Sequence, residues 1–258
     1  LPVYADGTIH LEDLKKALRK DTILVSMMLV NNETGAINPI KECAAYVHAY
    51  SRAVFHMDGV QGLGKIPISL HDVDMATFSA HKIYGLKGSA ILYKKRNIEL
   101  LPLLSGGQQE QGLRAGTSNA PTNIVFAKTL RLALEEQEKA YQYVQELNIY
   151  LRREIENIED MVINSPADAS CFILNFSDLK IGSEVMLNAL NAKGFCVSAQ
   201  STCSSKSKAI SHVLLAMGLG EVRATHAIRV SLSHMTTKDE VEKFIKALKE
   251  IHHDYRTK

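Results

Sequence analysis

The sequence predicts an α/β protein, with a large domain on a mainly parallel sheet followed by a smaller α+β domain. Three observations lead there. Through the first half, short apolar runs alternate with helical patterns, the sequence form of strands joined by helices. Residues 124–158 then carry no glycine or proline and repeat their apolar positions at helical spacing. Beyond them strand and helix patterns resume in a chain of 258 residues, long enough that one core tends to divide into two. The boundary falls near residue 130, giving domains 1–130 and 131–258.

The elements follow in order. After the turn signal Asp6-Gly7, HLEDLKKALRK spaces Leu11, Leu14 and Leu18 as a helix does, and TILVSMMLV reads as a buried strand. KECAAYVHAY is a helix, and AVFHMD, DMATFSA and SAILYKK are strands. TLRLALEEQEKAYQYVQELNIYLRREI is one long helix or two joined. The second half offers strands at CFILNF, GFCVS and AIRVSLS, and helices at SEVMLNALNA, ISHVLLAMG and KDEVEKFIKALKEI.

Composition narrows the function. The chain is 46% hydrophobic and 22% charged with a net charge of +2, and its acids and bases are interspersed. No basic stripe advertises nucleic acid, so the expected partner is a small molecule. No apolar run approaches the roughly 18–20 residues that span a bilayer, and no signal-peptide pattern opens the chain. Neither membrane nor nucleic acid is expected. The four cysteines, Cys43, Cys171, Cys196 and Cys203, are too scattered for a disulfide framework and form no C-x-x-C pair, so no metal is expected and a reducing cytoplasm fits. Cys43 on a helical pattern and Cys196 within a strand pattern read as packing.

Chemistry concentrates in three stretches. In TFSAHKIYGLKGSAILY a strand runs into Ser79, His81 and Lys82. A lysine there is an ordinary solvated loop residue or a Schiff-base amine held at a fixed point. In AVFHMDGVQGLGKIP a strand ends in Asp58, with Gln61 following. The aspartate is a turn or helix cap, or the carboxylate that keeps a pyridoxal phosphate ring protonated. In AQSTCSSKSK the thiol of Cys203 sits among hydroxyls and lysines, too polar a setting for a core. Lys206 and Lys208 favour its thiolate, although exposed lysines perturb weakly.

Four motifs in order, VNNETG, HMDGVQGLGK, SAHKIYGLKG and GLRAGTSN, with the Cys203 stretch and AIRVSLSHMTT after them, resemble the cysteine desulfurases of the NifS/IscS group. These are fold type I pyridoxal phosphate enzymes of the class-V aminotransferase kind. The resemblance covers essentially the whole chain. It implies that Lys82 carries the cofactor as a Schiff base and moves the substrate α-proton, and that Asp58 pairs with the pyridine nitrogen. It makes Gln61 the partner of the phenolic oxygen, Ser79 and His81 holders of the phosphate, and Thr117 a phosphate ligand across a homodimer interface. Asn32 and Arg229 would bind the substrate carboxylate, although from its pattern alone Arg229 is a strand-end surface charge. Cys203 would take sulfur from L-cysteine as a persulfide, leaving L-alanine, and hand it to an iron-sulfur scaffold or a tRNA-thiolating enzyme. A selenocysteine lyase, an aminotransferase or a non-catalytic fragment is the alternative, and the loop thiol argues against an aminotransferase.

The chain departs from the family pattern at Ala199-Gln200 and Thr202, and at Gln108 and Gln111. These bear on acceptor choice and loop dynamics. Relative to the family it also begins after an expected N-terminal section that supplies a stacking histidine and a phosphate-cradling helix start. The large domain is therefore expected to be incomplete, and the chain by itself weakly active or inactive.

Overall fold

The computed structural model describes residues 1–199 and 210–256. They form two compact units, one of Leu18–Leu29 with Ile40–Gln137, the other of Leu1–Ala17, Val30–Pro39 and Glu138–Lys258.

The first unit is built on four strands, β1 (Leu24–Met28), β2 (Val54–Asp58), β3 (Met75–Ser79) and β4 (Ala90–Lys94), in spatial order β1-β2-β3-β4. β2 runs parallel to both β1 and β3, and β4 returns antiparallel to β3. Each matches an apolar run read from the sequence. Between β3 and β4 the chain reverses through a 3-10 turn, Ala80–Ile83, which ends on Tyr84 at φ 67. Phe55, Met57, Ala76 and Phe78 are buried on one sheet face. Helix α2 (Ile40–Tyr50, with α1 at Leu11–Ala17 in the other unit) buries Ile40, Cys43, Ala44 and Val47, the i, i+3, i+4, i+7 stripe of an amphipathic helix. Cys43 packs as expected, and burial pushes its thiol up to about 11.

The long helical pattern divides into α3 (Ala120–Glu135) and α4 (Gln137–Glu156). Asn119 caps α3 by accepting from the Thr122 amide at 3.4 Å.

The second unit holds a four-stranded sheet, β5 (Met161–Ile163), β6 (Ile173–Asp178), β7 (Ser198–Ala199) and β8 (Ala227–Ser231), in the order β5-β6-β8-β7 with every pair antiparallel. The helices α5 (Ser183–Ala192), α6 (His212–Ala216), α7 (Gly220–Thr225) and α8 (Lys238–Arg256) complete it. Its core draws on β6, on Val144, Leu147, Leu151 and Ile155 of α4, and on Val241, Phe244, Ile245 and Leu248 of α8. One expectation fails. The strand foreseen at GFCVS shrinks to Ser198–Ala199, and Cys196 is exposed. Phe195 and Val197 pack against the core, so alternation turns the residue between them outward.

Asp74 ties the first unit together. Its carboxylate accepts from the Phe55 amide at 2.8 Å, from His48 Nε2 at 2.7 Å and from Lys95 Nζ at 3.1 Å. Burial raises its pKa, but the Phe55 amide, His48 and Lys95 outweigh burial and hold it below the ordinary carboxylate value. A carboxyl whose pKa is lower folded than unfolded contributes stability that is complete above the unfolded value, about 3.9, and is lost as pH falls through the folded one. Asp74→Asn should therefore lower stability by about 1.5–3 kcal/mol at neutral pH, with the deficit shrinking at strongly acid pH. Denaturant unfolding of both proteins across that pH range measures it.

Candidate active site

β2 and β3 are parallel, so their carboxyl ends point the same way, and ligands of open α/β sheets bind outside that edge. Register sets Asp58 opposite Thr77, and the Gly59 amide donates to the Thr77 carbonyl at 3.0 Å. Ser79 follows two residues along, on the face shared by Thr77 and Asp58. His81 and Lys82 stand in the 3-10 turn that begins at the next residue. The structure thus gathers Asp58, Ser79, His81 and Lys82 at one edge. Asp58 Oδ1 accepts from the Val60 amide at 3.0 Å, opening the turn that contains Gln61. Gln61 Oε1 accepts from Lys65 at 3.4 Å. Ser79 makes no side-chain capping bond to the turn it precedes. Asp58, Gln61, Ser79 and Lys82 are half-buried and His81 is exposed.

This donor set fits pyridoxal phosphate. It supplies an acid for a protonated ring nitrogen, an amide for a phenolic oxygen, a hydroxyl and an imidazole for phosphate, and an amine for an aldehyde. Thr117 lies in exposed chain ahead of α3, and among the described residues it is not hydrogen-bonded to the strand-end group.

The sequence reading assigned no role to His56. It lies two residues before Asp58 on the same sheet face, bridging Ser26 Oγ at 2.8 Å and Thr77 Oγ1 at 3.1 Å across three strands. Burial lowers its pKa and the Asp58 charge raises it, with the net direction downward. A neutral imidazole suits two hydroxyl partners. The alternation His56-Met57-Asp58 was the available signal.

The substrate-carboxylate candidates meet within the second unit. Arg229 on β8 donates from Nη1 to the main-chain carbonyl of Asn32 at 2.8 Å and from Nη2 to Ser198 Oγ at 3.2 Å. Its Nε is buried with no hydrogen-bond partner among the described residues. The contact uses the Asn32 backbone, not its amide. Arg229 is accordingly a half-buried, oriented fork, unlike the surface charge its pattern alone suggested. Cys203, Lys206 and Lys208 lie outside the described residues.

Residues 1–244 match the family described as aminotransferase class-V. The chain belongs to the class-V aminotransferase family. Among its relatives, a protein named cysteine desulfurase IscS from Dictyoglomus turgidum is 40% identical over 261 residues, a match covering 100% of this chain and 66% of that protein. The mitochondrial cysteine desulfurase of Candida albicans is 38% identical, over 97% of this chain and 52% of its own length. A solved structure titled NifS-like protein superposes with a TM-score of 0.90 at 37% identity, covering 97% of this chain and 67% of that one. The chain therefore spans about two thirds of the length of one curated relative and about half of the other.

In this class-V chain the strand-end geometry depends on Gly59. A Cβ there would overlap the ring of Phe78, which is buried and directly precedes Ser79, so the ring cannot swing aside. Gly59→Ala should lower stability by about 1–3 kcal/mol, the usual cost of overpacking. The thermal midpoint of the variant against the parent checks this.

Proposed function

We propose that the protein is a pyridoxal phosphate-dependent cysteine desulfurase, converting L-cysteine to L-alanine and moving the sulfur to Cys203. The observation that carries the reading is the parallel register of β2 and β3, which sets Asp58 level with Thr77 and brings Ser79, His81 and Lys82 to the same edge. The names of the relatives support it.

The cofactor, when bound, supplies an electron sink for the substrate Cα. Lys82 would hold it covalently and, once the substrate amine has replaced the lysine amine, would take and return the α-proton. Asp58 keeps the ring nitrogen protonated, and Gln61 hydrogen-bonds the phenolic oxygen. Ser79, His81 and, across a homodimer interface, Thr117 hold the phosphate. Arg229 and Asn32 take the α-carboxylate, for which a planar guanidinium offers paired donors. The Cys203 thiolate attacks the substrate sulfur and forms the S–S bond of a persulfide. The electron pair of the broken C–S bond stays with the substrate carbon, which is protonated to alanine.

In this reading residues 1–130 belong to the cofactor-binding domain and 131–258 to the domain bearing Cys203, although Leu1–Ala17 and Val30–Pro39 group with Glu138–Lys258 in one compact unit. The acceptor of the persulfide is an iron-sulfur scaffold or a tRNA-thiolating enzyme, and the site of action is cytoplasmic. Among the described residues no helix is long and apolar enough to cross a membrane.

Borohydride reduction of the cofactor-loaded full-length protein, followed by peptide mapping, should label Lys82 and no other lysine. A label elsewhere overturns the assignment. Cys203→Ser should still change the cofactor's visible spectrum on addition of L-cysteine but release no sulfide and carry no persulfide. Sulfide release at the parent rate would move the nucleophile to another thiol.

A further inference from the structure

The hairpin turn closed by the Val30 and Ile37 bridge and the start of α6 are distant in sequence but share a buried contact. Ser211 makes it. Its Oγ accepts from the Leu214 amide at 3.1 Å, capping α6, and donates to Glu33 Oε2 at 2.6 Å. A hydroxyl has one proton, so accepting from the amide leaves that proton for the carboxylate. The distance is that of a charge-assisted O–H···O⁻ bond. Glu33 is 8% exposed and Ser211 2%, which makes the pair expensive to leave unmet.

The main chain around Glu33 is held as firmly. The Glu33 amide donates to Asn31 Oδ1 at 2.9 Å, and the Glu33 carbonyl accepts from Asn175 Nδ2 at 3.1 Å. The preceding carbonyl, that of Asn32, accepts from Arg229 at 2.8 Å. The peptide between Asn32 and Glu33 is thus fixed by Arg229 at its carbonyl and by Asn31 at its amide, the next peptide is held by Asn175, and the Glu33 side chain is held by the cap of α6.

We infer that Glu33 is a positioning residue whose carboxylate, held by Ser211, locks the Asn32 and Arg229 pair in the geometry that receives an amino acid's α-carboxylate. The same bond anchors the chain where α6 begins, downstream of Cys203 in sequence. The inference rests on the proposed role of Asn32 and Arg229.

Two measurements on the full-length holoenzyme test it. In hydrogen exchange, Glu33→Ala and Ser211→Ala should each speed exchange of the Leu214 amide and of residues 33–36 about tenfold or more, the equivalent of one lost charge-assisted bond. Glu33→Gln, which keeps an acceptor for the Ser211 hydroxyl, should recover much of the protection. In steady-state kinetics, Glu33→Ala should raise KM for L-cysteine about tenfold with kcat changed far less, and the double variant with Ser211→Ala should be no worse than the worse single, because both remove one interaction. Unchanged exchange at both segments, a fall in kcat at constant KM, or fully additive single effects would each overturn the inference. If the parent holoenzyme releases no alanine from L-cysteine, the proposed function fails by itself, and the exchange pattern alone then decides whether Glu33 holds the turn.

Discussion

The strand-end site depends on the pairing of β2 with β3 in parallel. Had the two strands run in opposite senses, the chain leaving β2 at Asp58 and the chain leaving β3 at Ser79 would emerge from opposite edges, and no turn could bring the carboxylate and the lysine to one place. Parallel pairing makes the edge common, and the bond from the Gly59 amide to the Thr77 carbonyl carries the ladder past the last residue of β2. Register then does the rest. With Asp58 opposite Thr77, a slip of one residue would turn Asp58 onto the face where Met57 and Phe78 are buried. That buried face resists such a slip, so the same apolar residues that stabilise the sheet also aim its polar ones.

In the second unit polar side chains add to the apolar core in fixing the arrangement. β6 is buried along its length, although it contains Asn175, Ser177 and Asp178. Asn175 accepts from Asn164 Nδ2 at 2.7 Å while donating to the Glu33 carbonyl, and Asn164 accepts in turn from Arg223 Nε at 2.8 Å. Arg152 donates to the carbonyls of Ser165 and Pro166. Burial lowers the pKa of both arginines, and main-chain carbonyls receive part of each charge. Networks of this kind are costly when partly satisfied and specify one arrangement when complete. Asn175 extends this network to the Asn31–Ala36 turn through the Glu33 carbonyl.

Legibility in the sequence followed length and locality. The strands β1 to β4 and the helices α2, α4 and α8 could be read because their apolar spacing persists over enough residues to distinguish a period of 2 from one of 3.6. The positions of Asp58 and Lys82 could be read because Asp58 ends one legible strand and Lys82 follows another. β5 has three residues and α7 has six, too few to show a period, and neither was foreseen. At GFCVS the strand was read too long, and Cys196, read as packing, is exposed. The break between α3 and α4 falls at Glu136, whose backbone is ordinary αR, so no glycine or proline announced it. Glu33 and Ser211 are 178 positions apart, and a pairing at that distance leaves no local trace.

Arg229 shows how a pattern reading and a structure assign different meanings to one residue. On an edge of alternating apolar and polar positions an arginine is a solvated charge, worth little to stability. On β8 it pairs with Ser198 of β7, whose hydroxyl accepts from Nη2 while the Asn32 carbonyl accepts from Nη1. Two neutral oxygens orient the group without neutralising it. A lysine could not be held this way, because its ammonium is a point charge with rotating donors, whereas a guanidinium fixed at two nitrogens has its plane fixed as well. The buried Nε adds a polar group that the described residues do not satisfy. In the proposed reading, a positive charge with a fixed plane and spare donors is what would receive an amino acid's carboxylate at this end of β8.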